Sequence, residues 1–277
     1  PKFSFYDSTS FTFRTGSSFA KVDIEANNVE TLFEIPEGAE HVTMNEDLSS
    51  CAYIKDDNLF VMKSEGTSIQ VTSDGKDGII YGQAVHRYEF GIDRGMFWSP
   101  DGKRIAFYRM DESMVSQYPI VDISTTPASV NNTRYPMAGQ KSHHVKLGVY
   151  EIGGKITYMN TEGDPEQYLT SIGWVPNSKA LIIGQLNRDQ NKLKVNMYDA
   201  QNGSLLQPLF EESHPKYVEP EHAPWFLPGS EDEFIWMSER SGYQHLYLYN
   251  TEGKLLRTLT NGQWEAQHIL GFDHTKN

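Results

Sequence analysis

The stretch Trp98-Ser99-Pro100-Asp101-Gly102 decides the fold, because an aromatic residue or Met opens a similar short turn at several other points of the chain. The other copies are Met44-Asn45-Glu46-Asp47-Leu48, Trp174-Val175-Pro176-Asn177-Ser178, Phe226-Leu227-Pro228-Gly229-Ser230 and Phe272-Asp273-His274-Thr275-Lys276-Asn277. In chain order, the leading residues of all five copies are 54, 76, 52 and 46 positions apart. Periods of about 40–50 residues that contain several short strands are typical of β-propeller blades.

Each turn is followed by the same succession of β-rich segments. After the Trp98 turn, residues 105–108 are apolar, residues 145–150 alternate between apolar and polar, and residues 156–158 close the unit. Alternation with a period of two is what a half-buried strand requires. We therefore predict four complete blades between residues 35 and 268, with fragments of two more at the ends. Residues 19–33 are predicted to be the two closing strands of the earlier fragment.

The composition excludes several classes of function. A net charge of −13 argues against nucleic acid as a partner, because a polyanion is bound by clustered Lys and Arg. Cys51 is the only cysteine, so neither a disulfide framework nor a thiolate metal cluster is encoded, and the compartment stays open. The chain begins at Pro1 and stops inside a turn motif, so we expect it to be a fragment of a longer protein.

Two insertions interrupt the repeat. Residues 75–95 precede Trp98, and residues 109–143 separate two strands of one blade. Insertions in a repeat protein usually lie on one face and carry function, because the scaffold folds without them.

The familiar catalytic motifs are absent from the sequence. It contains neither a Gly-x-Ser-x-Gly nucleophile elbow, nor a His-Glu-x-x-His helix, nor a Gly-rich phosphate loop. The adjacent His143 and His144 are expected to point to opposite faces of a strand, which disfavours a metal pair. We therefore assign no catalytic residue, metal ligand or cofactor to residues 1–277.

The first insertion resembles a known family. Its core His86-Arg87-Tyr88-Glu89-Phe90-Gly91-Ile92, followed by the Trp98 turn and by Ala106-Phe107-Tyr108-Arg109-Met110-Asp111, is similar to the N-terminal propeller of the dipeptidyl peptidase IV group. The nearer resemblance is to bacterial prolyl tripeptidyl aminopeptidases. The other matching motifs include Tyr135-Pro136-Met137-Ala138-Gly139, Tyr217-Val218-Glu219-Pro220, His245-Leu246-Tyr247-Leu248-Tyr249 and Gly262-Gln263-Trp264-Glu265.

This resemblance implies an architecture and an activity. In the family, an eight-bladed propeller caps a C-terminal α/β-hydrolase domain that bears a Ser-Asp-His triad. Residues 1–277 would then be four to five four-stranded blades of that ring, and the catalytic domain would lie beyond Asn277. The parent protein would be a serine peptidase of the periplasm or cell envelope that releases di- or tripeptides after proline, and the fragment alone would be inactive.

The resemblance also implies how the substrate is recognised. A glutamate of the family binds the free α-ammonium group of the peptide, and Glu89 is the matching position. Dipeptidyl peptidase IV itself carries two adjacent glutamates, whereas here Tyr88 and Phe90 flank a single one. This difference favours the tripeptidyl type, or a second carboxylate supplied by the missing domain.

Four further residues are candidates for the substrate site. Tyr217, Val218 and Glu219 fall where the family places its substrate pocket, although the local match is loose and an ordinary connector between blades is the alternative explanation. Arg109 is a candidate for substrate contact or for a surface network with Asp111 or Glu112.

The sequence also leaves an alternative function open and predicts how the fragment behaves in solution. A non-catalytic interaction propeller of the WD-repeat or TolB-like kind is the alternative to the peptidase. Because an open arc of blades exposes apolar faces at both ends, we expect the fragment to associate with itself.

Overall fold

Residues 3–273, which the computed structural model describes, form five consecutive antiparallel blades, of which four are sheets of four strands and one is a sheet of five. Blade 1 contains β1 (Phe3–Phe5), β2 (Ser10–Thr15), β3 (Ser18–Asp23) and β4 (Asn28–Glu34). Blade 2 contains β5 (Glu40–Met44), β6 (Ser50–Lys55), β7 (Asn58–Lys63) and β8 (Ser68–Gln70). The all-β partial propeller predicted from the sequence is therefore confirmed.

Blade 3 is larger because both insertions belong to it. Its sheet and the hairpin inserted into it consist of β9 (Ile79–Tyr81), β10 (Met96–Trp98), β11 (Arg104–Asp111), β12 (Gln117–Asp122), β13 (Ser129–Arg134), β14 (His144–Glu151) and β15 (Ile156–Tyr158). The strand order is β10-β11-β14-β15, and β9 pairs with the far end of β11. Strands β12 and β13 form a separate two-stranded hairpin.

The last two blades follow the same plan. Blade 4 contains β16 (Tyr168–Trp174), β17 (Ala180–Leu186), β18 (Lys192–Asp199) and β19 (Leu205–Ser213). Blade 5 contains β20 (Trp225–Phe226), β21 (Glu233–Ser238), β22 (His245–Asn250) and β23 (Leu255–Thr258). Residues 274–277, which end the fifth copy of the turn motif, lie outside the described part of the chain.

The structure differs from the predicted blade boundaries in two ways. Blade 1 is complete, because β1 and β2 precede the two closing strands that were expected at residues 19–33. The turn motif also joins the first strand of a blade to the second, as Trp98 at the end of β10 shows, rather than opening the blade. Two of these first strands, β10 with three residues and β20 with two, are too short to show a period.

The blades pack through alternate residues of their central strands. On β11, Ile105 and Phe107 join the core shared with blade 2, whereas Ala106 and Tyr108 join the core shared with blade 4. Because successive side chains of a strand point to opposite faces, each central strand supplies two junctions. Four such clusters join the five blades. Cys51 lies in the first of them, and its burial raises the pKa of the thiol to about 12.

The repeated turns dock on one another at one rim of the arc. The backbone N–H of Asp101 donates to Oγ of Ser178 in the next blade at 3.0 Å. Nδ2 of Asn177 in turn donates to Glu231 of blade 5 at 3.2 Å. The repeated turn thus serves blade packing, which is a structural role for Asp101.

The terminal blades expose apolar side chains. Phe3 and Phe5 on β1 are 60% and 70% exposed, and Leu255 on β23 is 43% exposed. Self-association of the fragment stays a prediction. Within residues 3–273, every helix is too short and too polar to cross a membrane.

Candidate functional site

The loop that carries Glu89 projects from the first-strand edge of blade 3. Strands β9 and β10 pair with the same edge of β11, one beyond the other, and residues 82–95 bulge out between them. Two backbone hydrogen bonds close the base of this loop, from Gly82 N–H to the Tyr108 carbonyl at 2.8 Å and from Tyr108 N–H to the Gly95 carbonyl at 3.0 Å. We refer to residues 82–95 as the recognition loop.

This edge faces the side on which the blades converge. The indole N–H of Trp98 on β10 donates to the Thr43 carbonyl on β5 at 3.4 Å. The indole N–H of Trp174 on β16 donates to the Phe97 carbonyl on β10 at 2.9 Å. The first strands of blades 2, 3 and 4 are therefore neighbours, as are the strands around the central channel of a propeller.

Glu89 follows a strained turn. His86, Arg87 and Tyr88 form a single 3₁₀ turn, and all three have left-handed φ values, of +52°, +56° and +64°. Left-handed backbone costs roughly 1–2 kcal/mol for each residue that carries a Cβ, so the turn persists only because its surroundings hold it. Glu89 itself returns to an extended conformation, with φ −74° and ψ 162°, and is exposed to solvent.

The first support of the turn is a buried histidine pair. Nε2 of His143 accepts a hydrogen bond from the His86 backbone N–H at 3.2 Å. The same nitrogen lies 3.1 Å from Nδ1 of His86. Nε2 of His86 accepts from the Leu169 backbone N–H at 3.2 Å. Both histidines are buried, with 4% and 6% of their surface exposed.

Burial keeps this pair neutral. Loss of hydration, together with the neighbouring His143, lowers the pKa of His86 well below its usual value. Loss of hydration and the nearby Arg87 and Arg188 lower the pKa of His143 to about 4. A buried donor or acceptor left without a partner costs roughly 1–3 kcal/mol, which is comparable with the strain of the turn.

The second support ties the recognition loop to the base of the hairpin. The guanidinium of Arg87 lies 4.5 Å from the ring centroid of Tyr135 and donates to the Arg134 carbonyl at 2.7 Å. Arg134 in turn donates to the carbonyls of Ser113 and Val115. The two insertions are thus in direct contact.

The third support is a close approach between the loop and the connector between blades 4 and 5, residues 214–224. Oγ1 of Thr170 donates to the Phe90 carbonyl at 2.7 Å and also lies 3.4 Å from the Pro220 carbonyl. A Cβ added to Gly91, which has φ +68°, would lie 1.8 Å from the Glu221 carbonyl oxygen. Only glycine fits at this position.

Two clefts border this contact. The inner cleft, of about 270 Å³, lies between residues 90–94 and residues 221–223 and reaches His268 of blade 5. The connector cleft, of about 400 Å³, is lined by Tyr217, Val218 and Glu219. Met237 borders both clefts, so the predicted pocket residues lie next to the recognition loop.

The connector cleft is acidic. Burial raises the pKa of Glu239, and the nearby Glu219 raises it further, as two other carboxylates do. The half-buried Glu212 is already fully engaged, since it accepts hydrogen bonds from Trp236 and Ser238 and pairs with Arg240. Glu211, Glu219 and Glu239 are therefore the carboxylates that this cleft offers to a ligand.

Arg109 lies apart from these clefts. It borders a separate cleft between blades 2 and 3, where it forms ion pairs with Asp74 at 3.7 Å and Asp111 at 3.9 Å. Its Nε also donates to the Tyr81 hydroxyl at 3.1 Å. These contacts match the surface network that was the alternative for this residue, and a substrate contact stays an untested prediction.

The described residues contain little that could hold a metal. Within residues 3–273, no group of three or more His, Cys, Asp or Glu side chains has a suitable arrangement. His143 turns inward to His86, and the adjacent His144 is only partly buried. Some supports of the loop left no signal in the sequence, chiefly Thr170 and the pairing of His143 with His86.

The fold is that of a β-propeller domain with a braced loop at its converging edge. The family model of the dipeptidyl peptidase IV (DPP IV) N-terminal region matches residues 6–277. The chain therefore belongs to the dipeptidyl peptidase IV N-terminal region family.

Individual relatives agree with this assignment. Dipeptidyl aminopeptidase B of Saccharomyces cerevisiae is 27% identical over 249 residues, which are 82% of this chain and 30% of that protein. The inactive dipeptidyl peptidase 10 of Mus musculus is also 27% identical, over 80% of this chain and 30% of that protein. The chain thus spans about a third of the length of these curated relatives.

Solved structures extend the comparison to the fold. A crystal structure assigned as a dipeptidyl aminopeptidase IV from Bacteroides ovatus has a TM-score of 0.88 and 42% identity, covering 97% of this chain and 40% of that one. Dipeptidyl peptidase 4 of Porphyromonas gingivalis has a TM-score of 0.81 and 27% identity, covering 99% of this chain and 39% of that one.

Proposed function

We propose that this chain is the substrate-recognising propeller segment of a serine-type dipeptidyl or tripeptidyl aminopeptidase that cleaves after proline. The observation that carries the proposal is the exposed carboxylate of Glu89, held on a strained turn at the converging edge of the blades. The hydrolase domain that performs the cleavage, and a location in the cell envelope, belong to the same proposal.

The physical basis is the charge of a peptide's free N-terminus. An α-amino group has a pKa of about 7.7–8.0 and is mostly protonated at neutral pH. A hydrogen bond between this ammonium group and a carboxylate contributes about 1.5–3 kcal/mol. If the carboxylate lies at a set distance from the nucleophile, only peptides with a free N-terminus at that distance react productively.

The test compares free and blocked substrates on the full-length protein. Glu89→Ala should lower kcat/KM by about 30- to 1000-fold, or about 2–4 kcal/mol, for Xaa-Pro and Xaa-Xaa-Pro chromogenic peptides with a free N-terminus. The loss should be much smaller for N-acetylated peptides. Glu65→Ala, in the exposed turn between β7 and β8, is the matched control and should leave kcat/KM unchanged. An equal loss for free and acetylated peptides would refute the role of Glu89.

A non-catalytic interaction propeller is the second candidate. It is favoured by the similarity to the inactive dipeptidyl peptidase 10, which matches as well as the yeast aminopeptidase does. The same substrate panel separates the two candidates. A folded full-length protein that cleaves none of the peptides would support the non-catalytic function.

A further inference from the structure

The buried pair His86 and His143 is separate from any group that the proposed recognition step uses. His86 lies three residues before Glu89 in the left-handed turn, and His143 is 57 positions further along the chain. Tyr168 packs against the pair, with its ring centroid 4.8 Å from that of His86. Such a group requires an explanation, because buried polar side chains are costly unless they satisfy each other.

The hydrogen bonds determine the protonation of both rings. Nε2 of His86 accepts from Leu169 N–H, so the neutral ring of His86 carries its proton on Nδ1. That proton points to Nε2 of His143, which also accepts from the His86 backbone N–H. Nε2 of His143 is therefore an acceptor for two donors of one residue, and this ring carries its own proton on Nδ1.

The charged groups around the pair are consistent with two neutral rings. The positive charges of Arg87 and Arg188 disfavour protonation of the pair, and the negative charge of Glu166 on the β15–β16 connection acts in the opposite direction on His143. His144, next in sequence to His143, also acts on the pair. A proton on Nε2 of either ring would face a backbone N–H donor, so protonation would break the contact.

We propose that His143 is a positioning residue for Glu89, because its Nε2 holds both donors of His86 and so fixes the turn from which Glu89 projects. This inference rests on the proposed function of Glu89. His143 itself makes no contact with the peptide. Its loss should free the turn to relax toward ordinary backbone angles, which would move the carboxylate away from the position that recognises the ammonium group.

Two substitutions of His143 in the full-length protein isolate the accepting atom. In His143→Gln the amide oxygen can take the place of Nε2 and accept from both donors. His143→Leu puts an apolar side chain there and so removes the acceptor. For peptides with a free N-terminus, His143→Leu should lower kcat/KM about 10- to 100-fold, and His143→Gln should stay within about 3-fold of the parent protein. Equal losses for Gln and Leu would overturn the inference.

A double-mutant cycle shows whether His143 acts through Glu89. In a Glu89→Ala background, His143→Leu should have almost no further effect on kcat/KM, since the group that it positions is already gone. A full additional loss in that background would show a general structural role and would overturn the inference. Should His143→Leu not fold, His143→Asn serves in its place, because its shorter amide does not reach the position of Nε2.

Amide hydrogen exchange keeps the inference separate from the proposed function. A peptide covering residues 85–92 should exchange faster in His143→Leu than in His143→Gln, while strands β17 and β18 stay protected. If Glu89→Ala leaves kcat/KM unchanged, the proposed function fails. Even then, faster exchange confined to residues 85–92 would show that His143 holds the turn. Unchanged exchange would overturn the inference.

Discussion

The two insertions of blade 3 differ in how the protein holds them. The recognition loop is braced from several sides: His86 and Ile92 are buried within it, and Gly91 touches the connector of the next blade. The hairpin of β12 and β13 is almost entirely exposed along both strands and pairs only with itself within residues 3–273. The exposed carboxylate thus lies on the rigid insertion, whereas the other insertion resembles a projecting arm.

This difference indicates which insertion is preorganised. A strained turn keeps its shape only where surrounding contacts offset the strain. The recognition loop has a buried contact at His86, a partly buried one at Phe90 and an exposed one at Arg87. A rigid carboxylate loses little freedom when it binds a charged ligand, which favours recognition. The hairpin lacks this support over residues 117–133, so its shape depends mainly on its own ladder of hydrogen bonds.

The largest effect is expected from a matched pair of glycine substitutions. Gly91→Ala combines left-handed strain with a collision against the Glu221 carbonyl, so it should destabilise the protein by about 2–5 kcal/mol and lower kcat/KM at least about 10-fold. Gly139→Ala, in the second insertion, carries a similar φ of +78° with open space around it. It should cost only about 1–2 kcal/mol and leave kcat/KM unchanged. Thermal unfolding and steady-state kinetics measure both, and equal effects would contradict the contrast.

An intermediate effect is expected on lowering the pH. The unfolded chain protonates His143 near pH 6.5, whereas in the folded protein its pKa is about 4, so the folded state binds fewer protons between these values. The stability due to this residue should therefore be complete above pH 6.5 and fall by about 3 kcal/mol as the pH drops to 4.

Urea unfolding at several pH values measures this loss. His143→Gln cannot titrate, so its stability should fall less between pH 6.5 and 4 than that of the parent protein. His144→Gln, at the adjacent position, is the control: it keeps His143 itself and should therefore keep most of the parent's acid sensitivity. The same slope in all three proteins would show that His143 is accessible to protons in the folded state.

The smallest effect is expected in the hairpin. Ile123 follows β12 and is 86% exposed, so Ile123→Ala should change the free energy of unfolding by less than about 0.5 kcal/mol. The matched change Ile92→Ala, at a residue that is 5% exposed in the recognition loop, should cost several times more. Urea unfolding compares the two. A large loss for Ile123→Ala would indicate that the hairpin packs against another part of the protein.

Much of the fold follows from local patterns. The apolar runs predict the central strands, such as the one over residues 105–108, and the repeated residues predict the turns. The first strands β10 and β20 were missed because three and two residues carry no period. Strands β1 and β2 were missed because they precede the first turn motif.

The candidate site could be predicted only in part from the sequence. Glu89 was found through its resemblance to a family motif, since a lone glutamate in a loop has no periodicity or spacing of its own. The adjacency of residues 217–219 to the recognition loop followed the same resemblance. His143 was noticed only as half of a histidine pair along the chain, although its partner in the structure is His86.

The sequence by itself determined the repeat and the strand alternation, because both depend on residues close together in the chain. Only the tertiary structure decided which distant groups meet beneath Glu89, namely His86 with His143 and Phe90 with Thr170. The first pair joins the two insertions of blade 3 across 57 positions, and the second joins neighbouring blades across 80 positions. No local pattern records such pairings, because they form only when the insertions and the blades pack against one another.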